Sequence, residues 1–125
     1  MKKEKHSLFS SFGFAFSGIY QAIKKERNLK IHLLVAILVS IAGFFFKISR
    51  FEWLIIILII SLVLSAEIFN SAIEGLCNLL KEKLNLGYSE TTLIRNFSAG
   101  AVLILAISSV ILGFIIFLPY LLSLQ

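Results

Sequence analysis

Two glutamates stand where a charge is costly. Glu67 and Glu74, with Asn70 between them, interrupt an apolar stretch running from Trp53 to about Leu80, and an ionisable side chain inside such a stretch needs a partner or a task. At about 100° per residue, the three fall within a sector of roughly 60° on a helix, and Asn78 continues the same stripe. Along the helix Glu67 lies about 21 Å from Trp53 and Glu74 about 32 Å, so the stripe climbs from within a bilayer to its boundary. Glu26 reaches that boundary just before the preceding apolar run, and Arg95 and Asn96 reach it at the start of the following one. Carboxylate oxygens suit Mg²⁺, which takes one or two carboxylates plus water and phosphate. An adjacent Arg suits a phosphate. A site of this kind faces a nucleotide on one side and a lipid headgroup on the other. A structural network between helices, or a proton or cation path built on Glu67, stays open on these residues alone. His32 reads as an interfacial residue and Cys77 as an inert packed thiol.

The elements that must position these groups follow from composition and periodicity. The chain has 125 residues, is 58% hydrophobic and has a mean hydropathy of +0.95. That places it in the membrane class, as one all-α domain over 1–125. Phe9, Phe12, Phe16, Ile19 and Ile23 step by three and four, which predicts an amphipathic helix over 7–27 lying on the membrane surface. Its serines and its Lys24-Lys25-Glu26-Arg27 end do not fit a cleaved leader. Spanning helices are expected over 29–47, 53–80 and 96–118, the last ending before Pro119, with a polar loop over 81–92. The small residues of Ser98-Ala99-Gly100-Ala101 suit close helix contact. One Cys excludes an intrachain disulfide and gives no zinc spacing.

The seven acids are all Glu, and twelve Lys and Arg give a net charge of +5. The basic residues are scattered around the apolar runs and match no nucleic-acid reading module, so no nucleic-acid partner is expected. Ten of the twelve lie before the first span or between the second and third, against two, Lys47 and Arg50, in the first connector. This asymmetry predicts a cytoplasmic N-terminus and second loop, an outside C-terminus, and residence in the plasma membrane.

Ala66-Glu67-Ile68-Phe69-Asn70-Ser71-Ala72-Ile73-Glu74 resembles the A-E-x-x-N-[ST]-A-I-E motif of the prokaryotic diacylglycerol kinase and undecaprenol kinase family. Shorter matches follow in the family's order. Ser11–Gly18 is similar to its S-F-x-Y-A-x-x-G surface helix, and Glu26-Arg27-Asn28 with His32 to its E-R-N-x-x-x-H. Ile48–Trp53 is similar to its I-S-R-x-E-W, and Ala99–Val102 to its A-G-A-V. The resemblance spans roughly 8–118. It implies a surface helix, three spans and a homotrimer with sites between subunits. Trimerisation also has a ground of its own, since three helices cannot shield so many polar groups from lipid. The implied reaction transfers the ATP γ-phosphate to a lipid hydroxyl, of diacylglycerol or undecaprenol. Carried over by position, Glu67 is the base or hydroxyl-orienting group, Glu26 and Glu74 hold Mg²⁺, and Asn70 assists at the metal or nucleotide. Arg95 and Asn96 fall on the nucleotide side.

The departures cluster on that side. Arg95-Asn96 stands where the family usually has Lys-Asp, Asn78 where Asp is usual, and Phe14 replaces Tyr. The segment 81–94 lacks the family's Pro-containing pattern. They imply the alternative of a catalytically weakened or inactive member, while Glu67 as a proton site keeps open a small proton-coupled transporter. They also imply that, in the empty site, Arg95 pairs directly with Glu67 or Glu74.

Overall fold

The computed structural model describes residues 7–125. Lys2, Lys3 and Lys5, which contribute to the charge asymmetry, lie outside the described residues. Four helices follow one another: α1 (Leu8–Lys25), α2 (Arg27–Phe46), α3 (Arg50–Leu84) and α4 (Tyr88–Leu122). The last three are long and apolar enough to cross a membrane. α1 is amphipathic and rests lightly on α2 and α3, whereas α3 and α4 pack most extensively.

Each joint has a local cause. Ser7 accepts a hydrogen bond from Ser10 N at 3.2 Å and opens α1. Glu26 is extended and serves both as the C-cap of α1 and the N-cap of α2, so the chain turns there within a single residue. At the end of α2, Lys47 takes the left-handed conformation, and Ile48 N returns to Gly43 O at 3.1 Å. Ser49 then starts α3 with a reciprocal cap: its N–H donates to Glu52 Oε2 at 2.8 Å, and Glu52 N–H donates to Ser49 Oγ at 3.2 Å. Asn85, which tolerates the left-handed region, ends α3.

The expected loop over 81–92 contracts to residues 85–87, and α3 and α4 each reach 35 residues. That is about 52 Å per helix, well beyond the roughly 30 Å of a hydrocarbon core. The polar residues read as loop are the water-exposed ends of helices that protrude past the bilayer; Lys81, Glu82 and Leu84 are good helix formers. Pro119 does not end α4, which runs on to Leu122. It sits in the last turn, where its missing N–H removes one bond and no following turn depends on it.

The apolar core gathers at the turn between α2 and α3. Ile48, Ile56 and Ile116 are buried there, with Phe46, Trp53, Phe117 and Tyr120 packed around them. Tyr120 Oη donates to Glu52 Oε2 at 2.6 Å and ties the end of α4 to the start of α3. Away from this end the inward face of α3 changes character. It reads Ile56, Ile59, Val63, then Glu67 and Asn70, with Cys77 buried further on, as expected for a packed thiol. α4 answers with Thr91, Ser98 and Val102. Of the small residues at its start, Ser98 faces inward, while a side chain at Gly100 would meet open space.

Gly43 is the position where α2 needs the smallest residue. A Cβ there would come within 2.8 Å of Trp53 Cη2 and Cζ2 and 3.2 Å of Ile48 Cδ1. Gly43→Leu is expected to destabilise the detergent-solubilised protein by about 2 kcal/mol through overpacking. Combining it with Trp53→Ala, which vacates that space, restores part of the loss. Thermal unfolding of the single and double variants measures both; a Gly43→Leu midpoint at or above native contradicts the packing described.

Candidate functional site

The stripe expected on the second span is present on α3, and three separate polar contacts sit along it. Deepest is Glu67, 4% exposed, whose Oε1 lies 3.0 Å from His32 Nε2 on α2. One turn further, Asn70 Nδ2 donates to Glu74 Oε1 at 3.3 Å. Among the described residues, buried Asn70 Oδ1 has no hydrogen-bond partner, an unmet acceptor of a kind that costs about 1–3 kcal/mol unless something fills it. Beyond it, Arg95 Nη2 on α4 donates to Asn78 Oδ1 at 2.8 Å, and Arg95 Nε donates to Thr91 Oγ1 at 3.0 Å. The guanidinium lies 4.8 Å from the centroid of the Tyr88 ring, and Lys81 Nζ lies 5.8 Å from the same ring. Two cations therefore converge on one aromatic ring at the α3–α4 turn.

Two expectations are corrected. Arg95 does not pair with Glu67 or Glu74. Asn78 lies nearer along α3 and offers an acceptor, while Glu67 is already engaged by an imidazole from the other side. His32 is not merely interfacial. α2 turns Leu29, His32, Ala36, Val39 and Gly43 toward the other helices, and this three-and-four spacing was the available signal. The supporting roles of Thr91 and Tyr88 had none, because both were assigned to a loop.

Glu26 and Asn96 stand apart. Glu26 is half-buried at the corner between α1 and α2, with no side-chain cap bond, and Asn96 is exposed on α4. Among the described residues no hydrogen bond joins either to the stripe, and no group of three or more His, Cys, Asp or Glu is arranged to hold a metal ion. The donor set at Asn70 and Glu74 nevertheless suits a hard cation: a carboxylate and an unfilled amide oxygen within one helical turn.

The His32 side of the site opens onto a cleft of about 350 Å³ between α2, α3 and α4. Apart from His32 and Ser109 its lining is apolar, including Val39, Val63, Val110 and Phe114. A polar, carboxylate-bearing end thus meets a hydrocarbon-lined groove on one side and a basic, aromatic turn on the other. This arrangement suits a reaction between a lipid and a polyanion.

Comparison with known proteins converges on the same chemistry. The family model for prokaryotic diacylglycerol kinase matches residues 13–117. The chain is 37% identical over 118 residues to an undecaprenol kinase of Bacillus subtilis, covering 94% of each protein. It is 33% identical over 120 residues to a diacylglycerol kinase of Synechocystis sp., covering 95% of this chain and 67% of that one. No solved structure matches it. The chain belongs to the prokaryotic diacylglycerol kinase family: it is a multi-pass membrane protein and a lipid kinase, a phosphotransferase that draws on ATP. The transporter alternative falls with that finding.

If Glu74 and Asn70 face the cation that accompanies the nucleotide, Glu74→Gln raises the Mg²⁺ concentration for half-maximal rate by at least about tenfold, while helix content and assembly stay native. Titrating Mg²⁺ at fixed ATP checks this. An unchanged Mg²⁺ requirement removes Glu74 from the cation's shell.

Proposed function

We propose that this kinase transfers the γ-phosphoryl group of ATP to the hydroxyl of a polyprenol-type membrane alcohol, at the cytoplasmic face of the plasma membrane. The observation that carries the reading is Glu67, a buried carboxylate on the polar stripe whose partner His32 lines the apolar cleft. The lipid hydroxyl approaches from the bilayer side. Glu67 takes its proton, the freed oxygen attacks the γ-phosphorus in line, and the bond from that phosphorus to the ADP oxygen breaks. Glu74 and Asn70 Oδ1 would hold Mg²⁺, with Glu26 contributing a second carboxylate from the α1–α2 corner. Bound there, the ion would neutralise phosphate charge. Arg95 and Lys81 supply positive charge for the polyphosphate at the α3–α4 turn. Little covalent chemistry is required of the protein, so positioning and charge carry the rate.

The choice of a polyprenol over diacylglycerol is supported by the end-to-end similarity to the Bacillus subtilis undecaprenol kinase. The orientation is supported by the excess of Lys and Arg before α2 and around the α3–α4 turn. A homotrimer is supported by the outward exposure of most of α2, α3 and α4 and by Phe97 and Asn96, which face away from the neighbouring helices.

In mixed micelles with labelled ATP and Mg²⁺, the native chain is expected to phosphorylate undecaprenol faster than diacylglycerol. Glu67→Gln should lower the rate on either lipid by at least about 100-fold without loss of assembly. Native-level activity in Glu67→Gln contradicts its role as base, and faster turnover of diacylglycerol contradicts the acceptor assignment.

A further inference from the structure

We propose that His32 is a positioning residue for the transfer: its Nε2–H holds one oxygen of Glu67, so that the other is presented to the lipid hydroxyl. The inference rests on the kinase reading above and assigns a task to a residue outside the carboxylate and amide stripe. Three observations carry it. First, the contact is short, 3.0 Å, and joins two helices that are not otherwise linked by a side-chain hydrogen bond at this depth among the described residues. Second, Glu67 is almost fully buried while the imidazole is only partly so, with side-chain exposures of 5% and 25%. The carboxylate has no water-facing alternative and depends on its neighbours for orientation. Third, His32 itself lines the apolar cleft. A lipid hydroxyl reaching Glu67 from that cleft passes the imidazole, so the same ring that orients the base also bounds the acceptor's approach.

The geometry determines which ring atom acts. A neutral imidazole facing a carboxylate through Nε2 must carry its proton there, since a bare Nε2 would set two lone pairs against each other. One carboxylate oxygen is then occupied. The rotation of the Glu67 carboxylate about its last bond, otherwise broad, is restrained. Proton transfer from the acceptor needs hydrogen-bond reach and alignment at the remaining oxygen. A carboxylate free to rotate meets that geometry less often, which lowers turnover without weakening ATP binding at the other end of the stripe.

The test uses the full chain in mixed micelles, with kcat and KM measured separately for ATP and for lipid. His32→Leu is expected to lower kcat by at least about tenfold while KM for ATP stays within about twofold. His32→Gln, whose amide N–H reaches about as far as Nε2, should recover kcat to within about threefold of native, and the shorter His32→Asn should not. In a Glu67→Gln background, His32→Leu should cost nothing further, because the two residues act as a unit. Native kcat in His32→Leu overturns the proposal. So does a Gln variant no better than Asn, or an equal His32→Leu loss with and without the Glu67 carboxylate. Should His32→Leu fail to assemble, the Gln and Asn pair decides alone. A native chain inactive on every lipid alcohol overturns the kinase reading itself, and this inference with it.

Discussion

A carboxylate inside an apolar helix must be met by a partner, and that requirement organises this protein. Leaving such a buried, charged acceptor without its hydrogen-bond partner costs about 1–3 kcal/mol. Glu67 sits 17 residues into α3 and His32 lies 14 residues before the end of α2. A three-residue turn between the two helices brings these positions level. The capped turn at Lys47–Ser49, the Gly43–Trp53 contact and the apolar core at that end therefore set the register on which the polar contact depends. The molecule is divided along its length accordingly. One end is packed with isoleucines and aromatic rings; the other carries the buried carboxylate and the polar stripe.

The lengths of α3 and α4 matter for the same reason. Had they stopped at the bilayer boundary, Asn78, Thr91 and Arg95 would have belonged to a loop with no fixed geometry. Instead both helices continue past it, and a tight turn at Asn85–Gly87 holds them side by side. Arg95 bridges them by donating to Asn78 on α3, while Thr91 on its own helix accepts from its Nε and Tyr88 lies beneath the guanidinium. Positions 78 and 96 carry neutral amides. Arg95 is accordingly engaged by the neutral groups of Asn78 and Thr91. Its full charge remains to act on a polyphosphate.

Much of this was legible in the residues. The four helices, the α3 stripe and the family all followed from period, hydropathy and one nine-residue motif. What escaped did so for identifiable reasons. Residues 81–92 are polar, and polarity near a membrane boundary was read as loop although several of the residues favour helix. Pro119 suggests a stop, although in a last turn it costs little. His32 reads as interfacial from sequence because one histidine beside an apolar run carries no pattern of its own. Its role appears only when α2 and α3 are set in register. The partner of Arg95 was misjudged on charge alone, since opposite signs suggested Glu67 or Glu74 while reach favoured a neutral amide.

The central claim is that the polar stripe of α3 is where nucleotide and lipid meet. It is tested most directly by an experimental structure of the chain with a non-hydrolysable ATP analogue, Mg²⁺ and a polyprenol. The account predicts the γ-phosphate between Glu67 and the Arg95 end of the stripe, the metal ion on Glu74 and Asn70 Oδ1, and the lipid hydroxyl within hydrogen-bond distance of Glu67. A nucleotide bound at the Trp53 end of the helices, or a metal ion held away from α3, would contradict it.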